Sequence, residues 1–127
     1  PYRLLESLRA MGVSAGLALS PGVPVNYLEE CLDVLDFVMV MAVSPGFAGQ
    51  KMVPDHLDKL RRISEITSRA KHPISIVVDG NTTSSNARRM HEAGATGFVV
   101  GTSSLIQGGP GTFSEKYRAY KAEIARA

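Results

Sequence analysis

Short apolar runs alternate with amphipathic stretches along the chain, and this alternation predicts the fold class before any motif is weighed. Val13 to Leu19, Phe37 to Val43, Ile74 to Val78 and Gly97 to Val100 are nearly continuous in apolar or β-branched residues, the pattern of strands. Strands of this kind are usually buried on both faces. Helical stripes lie between them: Leu28, Cys31, Leu32 and Leu35 fall at i, i+3, i+4 and i+7, and Leu57, Leu60, Ile63 and Ile66 form a second stripe. Ala87, Met90 and Ala93 make a weaker third, and Leu4, Leu8 and Met11 predict a helix at the start. At the far end Thr112 followed by Glu115 is a capping box, with Phe113, Tyr117, Tyr120 and Ile124 tracing one face. Gly12 and Gly94 stand where a left-handed glycine would close a helix. The predicted order is αβαβαβαβα, which implies a parallel sheet with right-handed crossovers and hence an α/β fold.

Composition narrows this picture. With 127 residues, 44% hydrophobic and 20% charged, the chain is too apolar for disorder and is expected to form one domain over residues 1–127. A closed eight-stranded barrel of alternating strands and helices typically needs about 250 residues, so four strands supply an open sheet or half of such a barrel. The opening helix has no strand before it, which points to a missing upstream part. No membrane or targeting segment is expected, because the apolar run Phe37 to Val43 falls far short of the roughly 20 residues that span a bilayer. The 14 basic and 12 acidic residues are dispersed, so no nucleic-acid partner is expected, while an anionic small molecule remains open. Cys31 is the single cysteine, which excludes an intramolecular disulfide and a Cys-rich metal site and predicts a reducing, cytoplasmic setting. The Asn81-Thr82-Thr83 sequon would then meet no glycosylation machinery.

In parallel α/β folds ligands gather at the carboxyl ends of strands. The four loops at those ends read Ser20-Pro21-Gly22-Val23-Pro24, Ser44-Pro45-Gly46-Phe47-Ala48-Gly49-Gln50, Asp79-Gly80-Asn81-Thr82-Thr83 and Gly101-Thr102-Ser103-Ser104. Glycines admit backbone N–H groups to an anion and helix N-termini add positive potential, so the last three together resemble a phosphate cradle. Any one of them alone is more often a structural turn. Asp79 ends a strand-like run and would project into such a site, where a carboxylate can move a proton or bind a metal; equally, it could cap the helix beginning near Thr83. Met39 and Met41 share a strand face, as core filler or as a polarisable floor under a charged intermediate. His56, His72 and His91 lack ligand spacing and sit in or beside helices, so none is expected to be a catalytic base. Cys31 fits a packed helical stripe, and Lys59, Arg61 and Arg62 a solvated helix face.

These motifs carry a resemblance. Val40-Met41-Ala42-Val43-Ser44-Pro45-Gly46-Phe47-Ala48-Gly49-Gln50-Lys51, then Val78-Asp79-Gly80, then Val100-Gly101-Thr102-Ser103, with Ala15-Gly16-Leu17-Ala18-Leu19-Ser20-Pro21 before them, resemble the ribulose-phosphate 3-epimerase family. The Pro-Gly-Phe-x-Gly-Gln element is the specific part. The resemblance covers essentially the whole chain and implies the second half, four strands, of a parallel (β/α)8 TIM barrel. It implies a ketose phosphate substrate, as in the interconversion of D-ribulose 5-phosphate and D-xylulose 5-phosphate, through two aspartates on opposite faces of carbon 3. By similarity Asp79 is one of these and also binds a divalent metal ion (zinc, iron, manganese or cobalt) that stabilises the enediolate oxygens. Met41 matches a methionine close to the intermediate. Phosphate binding carries over to Gly46, Phe47, Ala48 and Gly49, to Gly80 and Asn81, and to Gly101 and Thr102.

Two departures from the family pattern, Ala48 and Asn81 at positions often held by glycine, leave D-allulose 6-phosphate as an alternative substrate. The family's other aspartate and its two metal-binding histidines have no counterpart here, so the chain by itself is expected to lack normal epimerase activity. A competing expectation is a non-catalytic phosphate-binding half-barrel whose open sheet edges pair with a second copy or another chain. A third is a different phosphate-binding barrel enzyme.

Overall fold

Nine elements follow one another along the computed structural model, which describes residues 1–43, 52–101, 105 and 109–125. They are α1 (Tyr2–Ala10), β1 (Gly16–Leu19), a 3-10 helix (Val25–Val34), β2 (Phe37–Met41), α2 (His56–Thr67), β3 (Ser75–Asp79), α3 (Ser84–Glu92), β4 (Gly97–Phe98) and α4 (Phe113–Ala125). The strands form one parallel sheet in the order β1-β2-β3-β4. Sequential parallel order with a helix in each connection is the α/β arrangement expected for part of a (β/α)8 barrel.

Every predicted strand is present; β1, β2 and β4 are shorter than their apolar runs, and β3 is as long as its run but displaced one residue toward Asp79. Val13 lies outside β1 and is 51% exposed, because the chain is still turning out of α1 there. Ala15 then ties the turn to the next strand: its N–H donates to Asp36 Oδ2, and its carbonyl accepts from Asp36 N–H. The expectation of burial on both strand faces is not met within the described chain. Along β2 and β3 burial alternates, with Val38, Val40, Ile76 and Val78 buried against the helices and Phe37, Met39, Met41, Val77 and Asp79 only half-buried. One face is buried against helices, and the other is only partly covered.

The segment after β1 departs from the α-helical stripe expected of it. Its buried residues are Val25, Leu28, Cys31 and Val34, spaced by threes, and its backbone is a 3-10 helix. Three residues per turn eclipse i and i+3, so this spacing keeps one line of apolar side chains on the core. Leu35 is fully buried but already extended, leading into β2. In α2 the predicted stripe holds for Leu60, Ile63 and Ile66, and in α3 for Ala87 and Met90. Gly94 follows α3 at φ +118, and a Cβ on it would lie 2.6 Å from Ser64 Cβ of α2. Only glycine allows that approach.

The terminal helices are wetter than predicted. In α1 the buried residue is Leu5, while Leu4 and Met11 are exposed, so the apolar face is rotated from the expected one. In α4 the cap forms as expected, with Glu115 N–H donating to Thr112 Oγ1, but only Tyr120 of the aromatic face is buried. Phe113 and Tyr117 stack on each other at the surface, 6.4 Å between ring centroids, with Lys121 over Tyr117.

Candidate functional site

Parallel strands put all their carboxyl ends on one side of the sheet, and the register there sets Met41 of β2 directly beside Asp79 of β3. Both residues are half-buried and lie on the sheet face turned away from the helices, in line with Met39 and Val77 of the preceding row. The polarisable thioether and the carboxylate are therefore neighbours on the open face. The two possibilities left for Asp79 are separated by the start of α3. Thr83 caps that helix, its Oγ1 accepting from Asn86 N–H at 3.2 Å, so the Asp79 side chain is not used as the cap.

The chain after Asp79 is held in an unusual shape. Gly80 has φ +112 and Asn81 φ +48, and a Cβ on Gly80 would sit 2.8 Å from Val43 Cγ2. The Asp79 carbonyl accepts from Ala42 N–H, and the Asn81 carbonyl from Asn86 Nδ2. Within the described residues the N–H groups of Gly80 and Asn81 donate to no protein acceptor, which leaves them available to an anion. Because neither the positive φ nor the contact with Val43 admits a side chain, Gly80→Ala is expected to destabilise the fold by about 2 kcal/mol. A urea unfolding midpoint equal to that of the parent would contradict this.

Of the other predicted positions, Gly101 lies just beyond β4 and is half-buried. Gly46, Phe47, Ala48, Gly49 and Thr102 lie outside the described residues. On the β1 side of Met41 a cavity of about 480 Å³ is lined by Pro21, Gly22, His56, Lys59 and Arg62. Asp79 is not in that lining, so the cavity adjoins the carboxylate's position without containing it.

Three residues near the site have roles that the sequence did not show. Lys59, expected on a solvated face, is half-buried and donates from Nζ to the Ser20 carbonyl at 3.1 Å, tying α2 to the loop after β1. Burial and the nearby Arg62 charge hold its ammonium below the usual lysine range. His56, the first residue of α2, is 2% exposed with neither ring nitrogen hydrogen-bonded. Tyr120 reaches from α4 to the loop after β3. The remaining histidines are structural, His72 donating to the Leu35 carbonyl and His91 to that of Ala95. Cys31 is buried, as expected.

Asp79 offers one carboxylate, and among the described residues no group of three or more His, Cys, Asp or Glu side chains could hold a metal ion. The described residues therefore do not by themselves make a metal site. No helix among them is long and apolar enough to cross a membrane.

Comparison with known proteins bears on the whole arrangement. Residues 1–105 match the model of the ribulose-phosphate 3-epimerase family. The chain is 36% identical over 105 residues to ribulose-phosphate 3-epimerase of Escherichia coli, covering 83% of this chain and 47% of that protein. It is 37% identical over 126 residues to the Rhodobacter capsulatus enzyme of the same name, covering 99% and 54%. The chloroplastic ribulose-5-phosphate-3-epimerase of Arabidopsis thaliana is 31% identical over 121 residues, covering 95% and 42%. The chain spans about half the length of the curated relatives it matches. By a family model that matches most of its length, the chain belongs to the ribulose-phosphate 3-epimerase family.

Proposed function

We propose that this chain is the Asp79-bearing, phosphate-gripping part of an epimerase acting at carbon 3 of a ketose phosphate, ribulose 5-phosphate being the substrate favoured by the name of its Arabidopsis thaliana relative. The observation that carries the reading is the pairing of Asp79 with Met41 at the carboxyl end of the sheet, beside the left-handed turn at Gly80 and Asn81. The C2 carbonyl acidifies the proton on carbon 3. Asp79 takes that proton, and the electron pair left on carbon moves toward the carbonyl oxygen to give an enediolate. Inversion then needs a proton delivered to the opposite face by a second acid, since one carboxylate serves one face. That second acid matches no residue of this chain. The phosphate grip combines Gly80, Asn81, Gly101 and Thr102 with the segment Gly46 to Gly49. Asp79 can supply one ligand to a divalent cation such as zinc, iron, manganese or cobalt, and the other ligands would come from outside the described residues. Residues 1–127 then act as one domain of the pentose phosphate pathway's reaction class, in the cytoplasm.

A second reading is favoured by the single site carboxylate: the chain is a non-catalytic phosphate-binding half-barrel, which would bind a ketose phosphate without turning it over even when joined to a complementary half. One experiment separates the two. The chain is assayed alone and joined to the remaining early portion of the Rhodobacter capsulatus relative, in deuterium oxide, for deuterium entering carbon 3 of D-ribulose 5-phosphate. The proposal expects exchange and D-xylulose 5-phosphate only from the joined protein. Exchange from neither, with D-allulose 6-phosphate also inert, would overturn it.

A further inference from the structure

A buried phenol in α4 ends on the loop that follows the candidate catalytic carboxylate. Tyr120 is 7% exposed and packs with Ala87 of α3 and Leu105 in a small apolar cluster, bordered by Phe98, Val100 and Ile124. Phenylalanine would fill that space equally well. The hydroxyl needs a partner once buried, and it donates to the Thr82 carbonyl at 2.8 Å. Burial holds the phenol above its ordinary pKa, so it stays a neutral donor at physiological pH. Thr82 itself is 1% exposed, and its Oγ1 donates to the Val99 carbonyl at 2.6 Å, joining the loop to the end of β4. Val99 is held on its other side by its own N–H, which donates to the Val78 carbonyl of β3.

A trans peptide is planar, with its N–H pointing opposite to its C=O, so fixing a carbonyl aims the next residue's N–H. Ala42 N–H fixes the plane joining Asp79 to Gly80, Asn86 Nδ2 that joining Asn81 to Thr82, and Tyr120 that joining Thr82 to Thr83. The plane between Gly80 and Asn81, which carries the free Asn81 N–H, is bracketed on both sides by held planes. Three elements, the end of β2, α3 and α4, thus converge on one short turn.

We propose that Tyr120 is a positioning residue: its hydroxyl locks the turn from Gly80 to Thr83 into the shape that presents backbone N–H groups to the substrate phosphate. This rests on the reading of that turn as part of the phosphate grip. Through it the C-terminal helix acts on the site without touching substrate.

The test compares the full chain with its Tyr120→Phe and Thr82→Val variants, following the amide NMR signals of Gly80, Asn81 and Gly101 during titration with D-ribulose 5-phosphate. A hydrogen bond of ordinary net strength corresponds to about a fivefold change in an equilibrium. Tyr120→Phe is therefore expected to weaken binding about fivefold under conditions where it is fully folded, with ligand-free shifts moved at Gly80 to Thr83 and unmoved at Gly22. Thr82→Val, which removes the second tie, is expected to do the same. A merely structural role would change the unfolding midpoint and leave the affinity of the folded chain alone. Equal affinity and unmoved loop signals in both variants would overturn the proposal while leaving the phosphate grip standing. Signals at Gly80 and Asn81 that ignore the ligand in the parent chain would remove the grip itself, and the positioning role with it.

Discussion

Asp79→Asn lowers carbon-3 exchange by roughly 10²–10⁴-fold, the usual contribution of a positioned acid/base group, with the substrate KM nearly unchanged. The exchange assay with the joined protein measures it directly. Asparagine matches aspartate in shape, so the loss isolates the proton acceptor from the packing. The structure explains why the fold would survive. The strand-end bond at this residue is made by its backbone carbonyl, which accepts from Ala42 N–H and is indifferent to the side chain. Helix α3 is capped by Thr83, so removing the Asp79 charge uncaps nothing. Its register partner Met41 offers no alternative base. Exchange at the parent rate in the asparagine variant would assign the proton transfer to another group and leave Asp79 without a part in it.

What the sequence made legible follows from which signals are local. Strand identity was readable because β-branched runs such as Ile74 to Val78 are short and bounded, and the parallel order follows from helices in every crossover. Positive φ after α1 and α3 was readable at Gly12 and Gly94 because glycine is the residue that adopts it without strain. The 3-10 helix was not, since Leu28, Cys31, Leu32 and Leu35 satisfy an α-helical stripe on paper, and only packing selects the line of threes. The apolar run of β2 overshoots its strand because Ala42 and Val43 remain buried after the ladder stops. At the site, Asp79 and Met41 could each be named from their strands, but their adjacency depends on register, which no single strand encodes. Tyr120 and Thr82 are 38 residues apart in sequence. Tyr120 read as one more apolar position on a helix face, and nothing local distinguishes a phenol that has found a carbonyl from one that has not.

His56→Leu is expected to abolish a loss of stability that the parent chain suffers on mild acidification. The imidazole is 2% exposed with both nitrogens unpartnered, and its pKa falls from 6.5 to about 4, chiefly through burial and secondarily through the Lys59 charge. Its place in the first turn of α2 adds to this, because the positive end of the helix dipole also disfavours a cation. In the unfolded chain the same ring titrates near 6.5. Between those two values the unfolded state binds a proton that the folded state refuses, so acid favours unfolding. The contribution is fully present above pH 6.5, falls as pH drops toward 4, and levels off below it at a loss of about 3 kcal/mol. That is a large share of the ~5–15 kcal/mol that holds a domain of this size together. Carboxylates titrate in the lower part of the same window, which is why the difference between parent and variant matters rather than either curve. Urea unfolding midpoints at pH 7.5, 6, 5 and 4.5 should diverge steadily, with the leucine variant the more stable at the acid end. At pH 7.5 it should equal or exceed the parent, because leucine has no buried donor or acceptor left unpaired. Parallel curves would mean that the ring gains a partner the folded chain does not display. Divergence would place an acid-sensitive residue in the wall of the cavity that Met41 also lines, and would predict that ligand binding at this end of the sheet weakens with the fold as the pH falls.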